Sequence, residues 1–508
     1  SVGLFCALIP NAKIDEALQR DSWDLRIGAG TPGCVVFGGE SKKTQYYRFG
    51  EDNGVELLIL ARNFHDVKPS YLEVAEEFRL FHNLFYDIKS GKCIKIDDNG
   101  DEEDVIIIKD GVAKIKLKQI RQFLAIKEMH LAIYFDIVRH SSYTLEELGL
   151  KEGIYPTKND KLLYTLFVCK DSISNHKAFS RLLGKRLIDG VSKEETDFWS
   201  YNEEKKKQYA DFIIGTDANG GNIIHTSDPQ KLSNYFGANP GSPHYLTPVF
   251  FSRDVLAKYY SNPEKFSVSD GFLSCAGLWG VRIDNNHDKH IIVFLGDLGR
   301  DLHYKEQLYW KSFNIPPDGT ISGVNWKRGF LAQPTNPEKQ DLLFKYLFDS
   351  FQPKWQKKFG WFLFKYLSPG DSYLYRTLRI PLNNDQNEFD NQVLTLNKII
   401  IDSLNEEEIE KNLVSKPSMS KGISKFELFL KTKNVANFES HIKFMRNLNG
   451  LRSGVGHRKG EDYDRAAKYF DLEIKELIIV FDDILKAAIV LLEYLNEQFL
   501  ETKTPSTS

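Results

Sequence analysis

Arg452 and His457 are the two residues of this 508-residue chain whose types and spacing could do chemistry together. Histidine titrates near neutrality and can move protons, while arginine is a permanent cation whose planar fork matches a phosphate. The pair suits phosphodiester transesterification, in which an RNA 2′-hydroxyl attacks its own phosphate and the leaving 5′-oxygen takes up a proton. Such a reaction calls for no metal and no cofactor. The local charge agrees: from Lys411 to Lys459 eleven Lys and Arg face two acidic residues, Glu427 and Glu439, a local excess of +9 in a chain that carries −3 overall. A basic stretch of this kind is the electrostatic footprint of an RNA groove. Arg446, Asn447, Arg458 and Lys459 flank the pair and are the candidate RNA-binding residues.

The spacing also constrains the element that carries it. Five positions on a straight helix put two side chains roughly 140° apart, so Arg452 and His457 would not converge on one small group. The helix must end between them, or a second chain must supply a partner. Gly454 and Gly456 predict a helix end or a close backbone approach at this point. Helical periodicity then predicts the surroundings. Asp385 or Asn387 caps a helix with Phe389, Val393, Leu396 and Ile400 on one face, and further helices cover 425–430, 438–451 and 471–499. Four helices joined by short to moderate connections imply a bundle. The last of them has more apolar positions than one bundle face needs: Leu477, Ile478, Val480, Phe481, Ile484, Leu485, Ala488, Leu491, Leu492 and Leu495. That excess predicts a homodimer through the C-terminal bundle.

The string Leu451-Arg452-Ser453-Gly454-Val455-Gly456-His457-Arg458-Lys459-Gly460, set in a helical bundle, resembles the Arg-x4-His motif of the HEPN superfamily. That superfamily includes ribonuclease effectors of toxin–antitoxin, CRISPR-associated and abortive-infection systems. The resemblance covers residues 385–508. It implies that Arg452 and His457 are the catalytic pair of a metal-independent endoribonuclease that leaves 2′,3′-cyclic phosphate ends, and that two motifs meet in the cleft of a dimer. Ser453 stands where the family often has Asn, Asp or His. Part of the superfamily is non-catalytic, so the alternative is an inactive RNA-binding or dimerisation module in a sensor or scaffold protein.

Upstream, the patterns predict an α+β N-terminal region of mixed strands and helices ahead of this all-α four-helix HEPN-like bundle, with domains at 1–150, 151–384 and 385–508. Residues 71–81 and 117–138 read as helices. Residues 93–96 and 105–108 read as a hairpin around a solvated acidic turn. Strands are expected at 162–168, 212–215, 222–225, 247–251, 278–283 and 291–295. The run 354–366 interleaves lysines and aromatics, which fits either a nucleic-acid surface or an amphipathic helix with its aromatics in the core. His225, His244 and Cys275 are too far apart in sequence to argue a shared site. Asp297-Leu298-Gly299-Arg300-Asp301 fits a ligand loop or a salt bridge equally well, and Asp217–Asn222 reads as a hairpin turn. No Gly-Lys-Ser/Thr phosphate loop is present, so nucleotide hydrolysis is not expected to control the protein.

Composition bounds these readings. With 42% apolar and 27% charged residues the chain is neither disordered nor fibrous. Five scattered cysteines without a CxxC pair point to a reduced, cytoplasmic setting. The apolar stretch 477–495 is interrupted by Asp482, Asp483, Lys486 and Glu493, so no membrane span is expected. The expected partners are RNA, a second copy of the chain and a phage-derived or protein trigger sensed by the N-terminal region.

Overall fold

The computed structural model describes residues 1–21, 33–36, 44–47, 54–171, 175–196, 207–413, 422–454 and 460–501. It divides into two units, one of residues 1–97 and 101–205, the other of residues 98–100 and 206–508.

The first unit is built on a five-stranded antiparallel sheet in the order Val2–Pro10, Met129–Ser141, Ala178–Ile188, Leu162–Lys170, Gly153–Lys158. Side chains alternate across a strand, and here both faces are covered. Leu8 and Leu131 enter one core with Phe78, Phe123 and Ile106, while Ala7, Ile9, Ala132 and Tyr134 enter the other. A four-stranded meander, Phe85–Asp87, Lys92–Ile96, Glu102–Lys109 and Val112–Ile115, contains the expected hairpin.

Two expected helices are corrected here. Residues 117–138 form a helix only over Leu117–Lys127. Glu128 then turns to a left-handed φ of 56°, and the chain continues as the strand Met129–Ser141. The apolar run looked helical because it is buried on both faces, a case in which periodicity cannot separate strand from helix. Likewise 71–81 splits into the end of the strand Lys68–Val74 and the short helix Glu76–Phe81. The boundary expected at 150 falls inside the five-stranded sheet, whose strands lie on both sides of that residue.

The second unit opens with mixed structure. A three-stranded sheet (His290–Phe294, Pro248–Ser252, Asn314–Ile315), a meander (Phe266–Ser269, Phe272–Cys275, Trp279–Arg282) and the hairpin Asp211–Thr216/Asn222–Thr226 surround a core that includes Phe212, Phe251, Tyr259 and Trp310. All six expected strands are present, 162–168 in the first unit and the other five here.

Eight α-helices follow among the described residues: α1 (Gln340–Phe359), α2 (Ser372–Thr377), α3 (Gln386–Asn397), α4 (Glu406–Lys411), α5 (Gly422–Thr432), α6 (Glu439–Ser453), α7 (Glu461–Tyr469) and α8 (Leu477–Phe499). They share one core. Asp385 caps α3 as expected, its carboxylate accepting the Glu388 N–H at 3.1 Å. The helical core begins ahead of residue 384, because α1 packs along α8 and buries Phe344, Phe348, Phe351 and Trp355 in it. Pro353 masked the helix in the sequence; it sits inside α1 on the solvent side. The 354–366 run spans the end of α1 and the segment after it: Trp355, Leu363 and Phe364 are buried, while Lys354, Lys357 and Lys358 are exposed.

Candidate functional site

Arg452 lies in the last turn of α6. Ile442, Met445, Leu448 and Leu451 recur at three-residue steps and face the core. The next stripe around the helix, Lys443, Arg446, Asn449 and Arg452, recurs at the same step and faces outward. Asn447, expected to touch RNA, is on the other side. It is 5% exposed and its amide donates to the Lys443 carbonyl at 2.8 Å, so the exposed asparagine of this helix is Asn449.

The end of α6 is shaped by glycine. A Cβ on Gly450 would stand 2.7 Å from the Asp462 carbonyl oxygen, and one on Gly454 would stand 2.1 Å from the Tyr463 ring. Gly454 keeps an ordinary φ of −85°. Gly454 is the C-cap of α6 and also admits the close approach of α7, so both roles the sequence suggested are met at this glycine, without a left-handed turn.

The structure adds a residue that the sequence did not mark. Asp402 accepts a hydrogen bond from Arg452 Nη1 at 2.5 Å, with the two side chains 37% and 41% exposed. Asp402 is the last residue of a π-helical turn, Lys398–Asp402, that continues α3. Turns of this kind widen the helix by one residue and are frequent at functional sites. No local signal could have found the pair, since its members are separated by 50 positions. An exposed ion pair of this sort contributes about 0–1 kcal/mol to stability, so its consequence is the orientation of the guanidinium. The arginine fork has several N–H donors, and Asp402 is bonded to one nitrogen.

Gly456, His457, Arg458 and Lys459 lie outside the described residues. His441, the one histidine among the described residues of the helical part, stacks on Tyr494 with ring centroids 4.2 Å apart, and burial lowers its pKa. Eleven positions along α6 put it ~16 Å from Arg452, so it does not join the site.

Tertiary pairing changes the electrostatic picture. Lys411 pairs with Glu408, Lys425 with Glu406 and Glu410, Lys431 and Arg446 both with Glu427, and Arg452 with Asp402. The two cations hold the Glu427 carboxyl below its ordinary range, Lys431 most strongly. Most of these carboxylates precede Lys411. When the count starts at Asp402, five more acidic residues enter and the excess of +9 falls to +4. The local field is therefore smaller than the Lys411–Lys459 window implied. The apolar excess of the last helix is also consumed: Val480, Phe481, Ile484, Leu485, Ala488, Leu491, Leu492 and Leu495 are buried within the chain. The helix α8 is covered by α1, α3 and α6, which removes the argument for a dimer from an unused apolar face.

The remaining sequence candidates have local partners. His225 Nδ1 lies 3.0 Å from the Thr226 carbonyl oxygen, His244 Nδ1 accepts the Leu246 N–H at 3.0 Å, and Cys275 is fully buried. Among the described residues no group of three or more His, Cys, Asp or Glu side chains is placed to hold a metal ion. The Asp297–Asp301 segment belongs to a short helix, Leu295–Asp301, in which Arg300 bonds both Asp301 and Asp297 and Tyr245 donates to Asp297. Asp217–Asn222 is the expected hairpin turn, with Gly220 at a φ of 82°.

No helix among the described residues is long and apolar enough to cross a membrane. Comparison with known protein families, with curated proteins and with solved structures finds no match for this chain.

Proposed function

We propose that this protein is an RNA-cleaving effector of the HEPN kind, a metal-independent endoribonuclease acting in anti-phage defence or a toxin-like stress response. The observation that carries this reading is the presentation of Arg452: a half-exposed guanidinium at a helix end, oriented by a carboxylate from a π-helical turn. Arg452 clamps the scissile phosphate and stabilises its developing charge, while His457 moves the proton between the 2′-hydroxyl and the leaving 5′-oxygen. Asp402 acts through Arg452 as a positioning residue. Arg446 and Asn449, on the same outward stripe of α6, continue the phosphate-binding surface, with Arg458 and Lys459 following the motif. A second copy of the chain supplies the second motif, and the N-terminal region ahead of the helical part senses the trigger.

Purified protein incubated with RNA in EDTA tests the reading. Cleavage with 2′,3′-cyclic phosphate and 5′-hydroxyl ends, reduced by about 10²-fold or more by Arg452→Ala and by His457→Ala, is the expected result. RNA binding without cleavage would favour the non-catalytic module, and cleavage that depends strictly on a divalent metal would reject the mechanism.

A further inference from the structure

A groove of about 680 Å³ runs beside α3, bounded by that helix, α2 and the segment around Pro263. One stripe of α3 and the residue after it faces into the groove: Asn387, Asn391, Leu394 and Lys398. Steps of four, three and four residues keep these side chains within about 60° of one another around the helix axis. Asn387 and Asn391 are exposed, and among the described residues neither side-chain amide has a hydrogen-bond partner. Tyr373, 41% exposed, and Pro263 give the groove apolar surface. Its charges are matched: Arg379 donates to Glu388 at 2.7 Å, Lys398 donates to Asp371 at 2.8 Å, and Asp385 adds a further carboxylate. A polyanion such as RNA therefore finds no unpaired cation along this wall.

An asparagine amide carries a donor and an acceptor side by side, which is what a residue of an extended peptide presents along one edge. That edge repeats every second residue, ~6.7 Å along the peptide, and the helical turn from Asn387 to Asn391 advances ~6 Å. Lys398 lies ~10.5 Å beyond Asn391, the reach of three more extended residues. We propose that this groove binds an extended peptide segment of a partner protein, with Asn387 and Asn391 bonding the backbone of two alternate residues and Lys398 meeting an acidic side chain three residues further on. The pair that Lys398 makes with Asp371 is half-exposed, and its ammonium has three donors, so a second carboxylate can share or replace the first.

Random twelve-residue peptides displayed on phage, selected on the full chain and counter-selected on a chain carrying Asn387→Ala and Asn391→Ala, test this. The expected binders share an Asp or Glu at one fixed position. For a synthetic peptide of that sequence, fluorescence anisotropy should show binding at least tenfold weaker to each single asparagine variant. N-methylation of the peptide backbone should weaken binding at two alternate residues and leave the residue between them unaffected. Lys398→Ala should weaken this peptide at least tenfold and make no difference to one whose acid is replaced by the corresponding amide. Both asparagines are exposed, so their variants should melt as the unaltered chain does, and Arg452→Ala should bind the peptide unchanged. Selection of no such peptide, tolerance of N-methylation at every residue, or full binding by the asparagine variants would overturn the proposal. So would a twelve-nucleotide adenosine strand held with the same dependence on Asn387 and Asn391. The readout is peptide binding and not cleavage, so a chain that cuts no RNA would defeat the proposed nuclease activity and leave this site standing.

Discussion

A guanidinium paired to a carboxylate can still bind phosphate where the pair leaves some of its N–H donors unclaimed. The Arg452–Asp402 pair meets that condition, with both side chains half-exposed. Under the proposed nuclease mechanism, Arg452→Ala should lower cleavage by ~10²-fold, the usual consequence of removing one donor from a developing oxyanion. Asp402→Asn should act in the opposite sense on binding: RNA binds more tightly once the competing carboxylate is gone, while kcat falls by about tenfold because the guanidinium is no longer aimed. A KM and kcat that fall together would show this split, and Asp402→Glu should recover part of the rate. His82 makes a different residue-scale prediction. Burial pushes its pKa down to about 4, and Nε2 lies 2.9 Å from the Gln119 carbonyl oxygen. The fold holds the imidazole neutral, so between pH 6.5 and 4 the unfolded chain binds more protons than the folded one. The stability His82 contributes is present above about pH 6.5 and is lost as pH falls toward 4. Urea unfolding at pH 7 and pH 5 should show this loss, and His82→Phe should flatten it.

At the scale of elements, the end of α6 depends on how closely α7 can approach it. Gly454→Ala places a methyl group on the Tyr463 ring, and overpacking of this kind costs about 1–3 kcal/mol. If the ring is the obstacle, the cost shrinks when Tyr463→Ala is already present, and a double-mutant cycle measures that coupling. Additive effects would place the strain elsewhere. Gly450→Val should destabilise more firmly, because the obstacle there is the Asp462 backbone, which cannot rotate away. Asn397 is fully buried, and its amide donates to the Leu448 carbonyl at 3.0 Å, tying α3, and hence the turn that ends in Asp402, to α6. That bond links the two elements whose relative placement sets the Arg452–Asp402 contact.

For the whole molecule, the shared helical core makes a prediction about fragments. Residues 385–508 lack α1, whose Phe344, Phe351 and Trp355 fill the core around α8, so this fragment should expose that core and fail to melt cooperatively. Residues 207–508, which keep α1, should fold and melt cooperatively; circular dichroism with a thermal scan compares the two. Much of this organisation was legible along the chain. Periodicity located α3, α5, α6 and α8, Asp385 announced its cap, alternating runs marked the strands from Asp211 to Phe294, and Gly454 announced a close approach, because each of these signals lies within a few turns of backbone. What needed the tertiary structure were properties that depend on distant neighbours. Strand Met129–Ser141 is told from a helix by the strands on both sides of it, and most of the apolar positions of α8 are covered by helices of its own chain. The carboxylate that orients Arg452 comes from a turn 50 residues away. Local sequence carries backbone preference and amphipathic period, whereas ion pairing, burial and the closing of a site are decided by which segments the folded core brings together.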